Sequence, residues 1–192
     1  MNLANKLTML RIILVPFFAF FMLAAELVPY SYLWAAILFA IASITDTIDG
    51  KVARKYNMIT DFGKFLDPLA DKVLVVTALI CFVQLGWTSA WVVSIIVIRE
   101  FMVSGVRLVA AGSEKKIVIA ANIWGKLKTA STMVAICVII GLHIFISFGL
   151  FTMESFPVQL ISDILMYVSC LLTAVSGIIY LYDYREIFKE AK

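Results

Sequence analysis

Four aspartates carry the chemistry most visible in this chain. Asp46 and Asp49 stand at i and i+3, and Asp67 and Asp71 at i and i+4. Ala53 extends the first register and Gly63 the second, so on helices each set lies along one face. Four carboxylates sharing a cleft repel one another and are costly at a membrane edge unless cations neutralise them. A ligand set made only of oxygen points to Mg²⁺ or Mn²⁺. Two such ions held by Asp46, Asp49, Asp67 and Asp71 could clamp a diphosphate and stabilise charge on both sides of an in-line displacement at phosphorus. Gly50 and Gly63 would let a ligand or a second backbone come close. Asp61 falls outside the pattern and reads as a loop or cap residue. Two other readings exist: solvated loop charges balanced by nearby lysines, and an ion or proton pathway. The second is weakened because the whole set sits at one edge of the apolar segments, not across a midplane.

The elements that must hold these groups are apolar helices. Of the 192 residues, 63% are hydrophobic and 15% charged, against about half apolar and a quarter charged in a soluble domain. A chain this short cannot bury that excess in a water-facing fold, so the surplus must face lipid. A bilayer core about 30 Å thick is crossed by roughly 20 helical residues. Six segments qualify: 10–27, 32–49, 69–85, 90–111, 123–146 and 158–180. The expected architecture is all-α, a single domain of six transmembrane helices over residues 1–192. The first segment runs on past Ala24 and Ala25 and reads as a retained span, not a cleaved leader. Cys81, Cys137 and Cys170 form no C-x-x-C pair and read as small buried hydrophobes.

Charge placement sets the orientation. Lys6 and Arg11 open the first span, and Lys51, Arg54, Lys55, Lys64 and Lys72 lie between the second and third. Lys115, Lys116, Lys126 and Lys128 separate the fourth and fifth, and Arg185, Lys189 and Lys192 follow the sixth. The loops around Glu26, Gly86 and Glu154 hold no Lys or Arg. The positive-inside rule then puts both termini, and the aspartates, on the cytoplasmic face of the cell membrane.

The run D-x-x-D-G-x-x-A-R-x(8)-G-x-x-x-D-x-x-x-D is filled by Asp46, Asp49, Gly50, Ala53, Arg54, Gly63, Asp67 and Asp71. It resembles the signature of the CDP-alcohol phosphotransferases, and the placing of this run between spans two and three is similar as well. The resemblance implies a dimetal site on the four aspartates and a general base at Asp71. It also implies a CDP site using Asp49, Gly50, Ala53 and Arg54. The opening Asn5–Arg11 is similar to the branch of that family that uses sn-glycerol 3-phosphate as acceptor, which brings Asn5 and Thr8 into the CDP site. Ala4 stands there in place of an expected proline. Arg99–Glu100, Val103–Arg107 and Gly125–Thr129 are similar to later segments of the same branch. What this implies is transfer of a phosphatidyl group from CDP-diacylglycerol to sn-glycerol 3-phosphate, with membrane lipids around the chain, a homodimer as the assembly and no nucleic-acid partner. The acceptor alternatives are inositol phosphate, serine and phosphatidylglycerol. A divalent-cation transporter is the alternative from another class, though no acidic residues line a path through the spans.

An acceptor that carries its own phosphate needs fixed positive charge. Arg107 and Lys126 are the candidates, with Lys128 behind them, since they stand at the ends of spans four and five nearest the aspartates in the expected topology. Lys115 and Lys116 are read instead as headgroup contacts. Arg99 and Glu100 lie deeper and should face protein. Glu100, seven residues before Arg107, either orients it or belongs to a buried structural network. His143 reads as interfacial or packed.

Overall fold

The computed structural model describes residues 3–55, 61–112, 123–150, 152 and 156–183; within these, the side chains of 3–6, 46–55, 61–69, 71 and 107–112 lie outside the description. The described residues form helices α1 (Leu3–Leu23), α2 (Ser31–Lys55), α3 (Asp61–Gln84), α4 (Ala90–Gly112), α5 (Ile123–Ser147) and α6 (Val158–Asp183), with no strand among them. Each overlaps one apolar segment read from the sequence. The boundaries differ where polar residues continue the helix: α1 starts at Leu3 and α3 at Asp61. Apolar content reports the stretch suited to lipid, whereas backbone hydrogen bonding runs on past it.

Among the described residues, two helices, α5 and α6, are long and apolar enough to cross a membrane. Shorter apolar runs occupy Leu7–Leu23, Ser31–Thr45 and Lys72–Gln84 of α1, α2 and α3. The polarity of α6 is inverted relative to a helix in water. Its buried positions include Ser162, Ser169, Thr173 and Ser176, while Leu160, Ile164, Tyr167, Leu171 and Ile178 are exposed. Water would penalise so continuous an apolar face. A bilayer favours it, and small hydroxyl residues then make the helix–helix contacts. These are the helices of a membrane protein.

The chain divides into two compact units, residues 1–85 with 136–158, and residues 86–135 with 159–192. In the first unit, α1 packs along α2 and α3, which also touch each other. Phe18, Met22, Phe39, Leu79 and Phe82 are fully buried or nearly so, and the Phe18 and Phe39 rings lie 5.7 Å apart. The turns are built with local chemistry. α5 ends in a Schellman motif: Gly149 has φ 71°, the Leu150 N–H donates to the Phe145 carbonyl at 3.1 Å, and the Gly149 N–H to Ile146 at 2.9 Å. A left-handed residue closing a helix in this way is most often glycine. Tyr30, just before α2, adopts φ 58° without being glycine; its ring stacks on Phe148 at 5.1 Å. Beside it, His143 is buried, with Nδ1 2.9 Å from the Ile139 carbonyl and its ring edge-on to Tyr32. It is therefore packed.

In the second unit, Val103 and Val106 of α4 bury against Tyr180 of α6. The Gln159 side-chain amide donates to the Trp87 carbonyl at 3.3 Å, tying the start of α6 to the turn before α4. The cysteines divide: Cys81 is buried, Cys170 half-buried and Cys137 exposed. The expectation that all three are buried therefore fails at Cys137. It lies on the outward side of α5, where an apolar thiol is as well solvated by lipid as by protein.

Candidate active site

The inward stripe of α2 runs Ser31, Ala35, Phe39, Ala42 and Thr45, all buried. Helical backbone continues without a break to Lys55, so Asp46 and Asp49 follow in the same register, at +4 from Ala42 and Thr45. α3 mirrors this. Ala70, Leu74 and Ala78 are buried, and Asp67 and Asp71 each precede a residue of that stripe by three. The two acidic pairs thus occupy the polar continuations of two apolar stripes, on consecutive helices joined through residues 56–60 and packed in one unit. The side chains of Asp46, Asp49, Arg54, Asp67 and Asp71 lie outside the described residues, as does that of Asn5. Among the described side chains no cluster could hold a metal ion. The donor chemistry of the four aspartates nevertheless fits hard divalent cations, since carboxylate oxygens are what Mg²⁺ and Mn²⁺ take.

On α1, Thr8 is 1% exposed and Arg11, one turn further on, is 2% exposed. Both stand on the helix that packs against the two aspartate-bearing helices. The sequence alone marks Arg11 only as a topology-setting charge. The signal that could have singled it out is its i+3 spacing from Thr8.

The basic candidates belong to the second unit, and the structure separates them. Lys126 and Lys128 are two residues apart on α5, roughly 200° around a helix. Lys126 is exposed. Lys128 is buried at 7% and its ammonium pairs with the Glu100 carboxylate of α4. Arg99 Nη1 lies 3.7 Å from the same Glu100 oxygen, and Arg99 Nη2 donates to Ser176 Oγ of α6 at 2.7 Å. Gly177 lets the helices meet closely there: a Cβ at that position would stand 2.9 Å from Arg99 Cγ. Hydroxyls complete the assembly. Ser131 and Thr132 donate back to the Lys128 carbonyl at 2.8 and 3.0 Å, and Ser169 Oγ of α6 lies within 3.2 and 3.3 Å of those two hydroxyls. The half-buried Glu100 and the buried Lys128, Arg99 and Ser176 therefore link α4, α5 and α6 through polar groups. Among the described contacts Glu100 meets Lys128 and Arg99; Arg107 stands on α4 with its side chain outside the description.

The model of the CDP-alcohol phosphatidyltransferase family matches residues 1–175. A Bacillus subtilis (strain 168) protein named CDP-diacylglycerol–glycerol-3-phosphate 3-phosphatidyltransferase is 46% identical over 186 residues, covering 92% of this chain and 91% of that protein. A Mycobacterium tuberculosis (strain H37Rv) protein named probable phosphatidylglycerophosphate synthase is 39% identical over 187 residues, covering 93% of this chain and 79% of its own. An Escherichia coli (strain K12) protein with the same name as the Bacillus one is 39% identical over 139 residues, covering 70% of this chain and 74% of its own.

Proposed function

This chain belongs to the CDP-alcohol phosphatidyltransferase family, and from that premise we propose that it transfers a phosphatidyl group from CDP-diacylglycerol to sn-glycerol 3-phosphate, giving phosphatidylglycerophosphate and CMP. The observation that carries this reading is the 46% identity, over 92% of the chain, to a relative named for that reaction. The aspartate registers on α2 and α3 support it.

The lipid tails of CDP-diacylglycerol stay in the bilayer while its diphosphate sits among Asp46, Asp49, Asp67 and Asp71. Bound there, two Mg²⁺ or Mn²⁺ ions would neutralise the diphosphate and the charge that develops during displacement. Asn5, Thr8, Gly50, Ala53 and Arg54 line the CDP side. The glycine and alanine leave room for backbone approach, and Arg54 brings its bidentate fork. Asp71 accepts the proton of the acceptor's 1-hydroxyl. The freed oxygen attacks the β-phosphorus, and the bond to the CMP oxygen breaks. Direct displacement is favoured because no Ser, Cys or His occupies the motif as a covalent nucleophile. Arg107, Lys126 and Lys128 supply the positive charge for the acceptor's phosphate.

With six spans and both termini in the cytoplasm, this chemistry lies at the inner face of the cell membrane, where a soluble acceptor is at hand. The test is CMP release by purified protein in CDP-diacylglycerol micelles with Mg²⁺ or Mn²⁺. Glycerol 3-phosphate should support turnover; inositol phosphate, serine and phosphatidylglycerol should not. Strong activity with serine and none with glycerol 3-phosphate would refute the assignment.

A further inference from the structure

We propose that Glu100 is a positioning residue for the acceptor: it holds the Lys128 ammonium at a fixed place between α4 and α5, where that cation meets the acceptor's phosphate. The inference rests on the proposed reaction and adds to it a residue that touches neither substrate.

Lysine is ordinarily a poor fixed charge, because its ammonium rides on a flexible four-carbon stem. Here the stem is buried and its end is paired with a carboxylate that is itself only 18% exposed. The backbone of the same turn is also held, by Ser131 and Thr132 on the Lys128 carbonyl and by Ser169 of α6 against both hydroxyls. Glu100 also has Arg99 Nη1 3.7 Å from the same carboxylate oxygen, and that guanidinium is anchored on Ser176 while its stem lies against Gly177. Three helices therefore fix one ammonium. Buried ion pairs of this kind contribute little to stability compared with apolar packing of the same volume. What they provide is a defined location for charge, and an electrostatic site works best when its dipoles and charges are set before the ligand arrives. An ammonium has three donors, so a carboxylate on one side and a phosphate oxygen on another are compatible. Lys126, exposed and on a different face of α5, lacks this support among the described residues.

A purely structural lock would make the same contacts, so the test must separate location from pairing. Purified Glu100→Gln, Glu100→Asp and the swapped pair Glu100→Lys with Lys128→Glu are compared with wild type. The readouts are KM for glycerol 3-phosphate, KM for CDP-diacylglycerol, kcat and melting temperature. Glu100→Gln should raise KM for glycerol 3-phosphate roughly tenfold or more, the loss of one well-placed charged hydrogen bond. KM for CDP-diacylglycerol should move by less than about twofold, within the scatter of sites that do not touch that substrate. Glu100→Asp, which keeps the charge, should recover part of the affinity. The swap keeps an ion pair but moves the cation to α4, so it should regain wild-type melting while KM for glycerol 3-phosphate stays raised. Recovery of both melting temperature and KM in the swap would overturn the inference, as would a Glu100→Gln variant that melts lower with both KM values unchanged. Wild-type turnover reports separately on the parent reaction. If glycerol 3-phosphate is inert, that reading falls, and the KM comparison is made with the acceptor that turns over. An acceptor without phosphate would overturn the role of Glu100 too.

Discussion

Replacing Gly177 with alanine probes the α4–α6 contact directly. The new Cβ would lie 2.9 Å from Arg99 Cγ, 3.7 Å from Nε and 3.9 Å from Cδ. The first distance is inside van der Waals contact, and the atom that must yield belongs to a stem held at its far end by the 2.7 Å bond to Ser176. Forcing one extra carbon into such a contact costs about 1–3 kcal/mol. Against this, alanine gains about 1 kcal/mol over glycine inside a helix. The net effect of Gly177→Ala thus runs from near zero to a loss of about 2 kcal/mol. Gly105 on α4 and Gly141 on α5 serve as controls, because an added Cβ meets nothing within 4 Å at either. Those substitutions keep the helix gain alone. Gly177→Ala should therefore be about 1–3 kcal/mol less stable than either control, which is roughly 2–12 °C in melting temperature on the scale of a domain this size. The assay is thermal unfolding of the three variants in one detergent–lipid mixture. A Gly177→Ala protein that melts with or above the controls would refute the close packing of Arg99 on α6.

Other outcomes follow from the same geometry. Asp71→Asn removes the proton acceptor while keeping shape, so CMP release should vanish with little change in melting temperature; near-normal turnover would eliminate Asp71 as the base. Single cysteines introduced at Gly149, after α5, and at Lys192, the last residue, should label from opposite sides of sealed vesicles once the native cysteines are replaced. Labelling from one side would overturn the six-span topology.

The helices are legible in the sequence because each overlaps a long apolar segment. The aspartate pairs are legible because i, i+3 and i, i+4 spacings carry their own geometry. The same rules misplace helix ends, since the polar turns at Leu3–Met9 of α1 and at 61–68 of α3 are helical without being apolar. The pairing of Glu100 with Lys128 is hidden for another reason. The partners are 28 positions apart on different helices, and their meeting depends on how α4 and α5 pack, which no local period encodes. Arg99 with Ser176 is the same case across 77 positions. The sequence marks Arg99 and Glu100 as charges that must face protein, yet offers only Arg107 as a neighbour. Lys126 and Lys128 look alike as neighbouring lysines. Burial separates them, because two residues turn a helix more than half a revolution.

Asp46, Asp49, Asp67 and Asp71 holding the divalent cations together is the claim on which the proposed reaction turns. Manganese titration of the purified protein, followed by electron paramagnetic resonance in the presence of a CDP-lipid, tests it most directly. Two bound Mn²⁺ ions per chain with mutually coupled spectra are expected, and that coupled signal should be lost when any one of the four is changed to alanine. An unchanged coupled signal with all four aspartates replaced would contradict it.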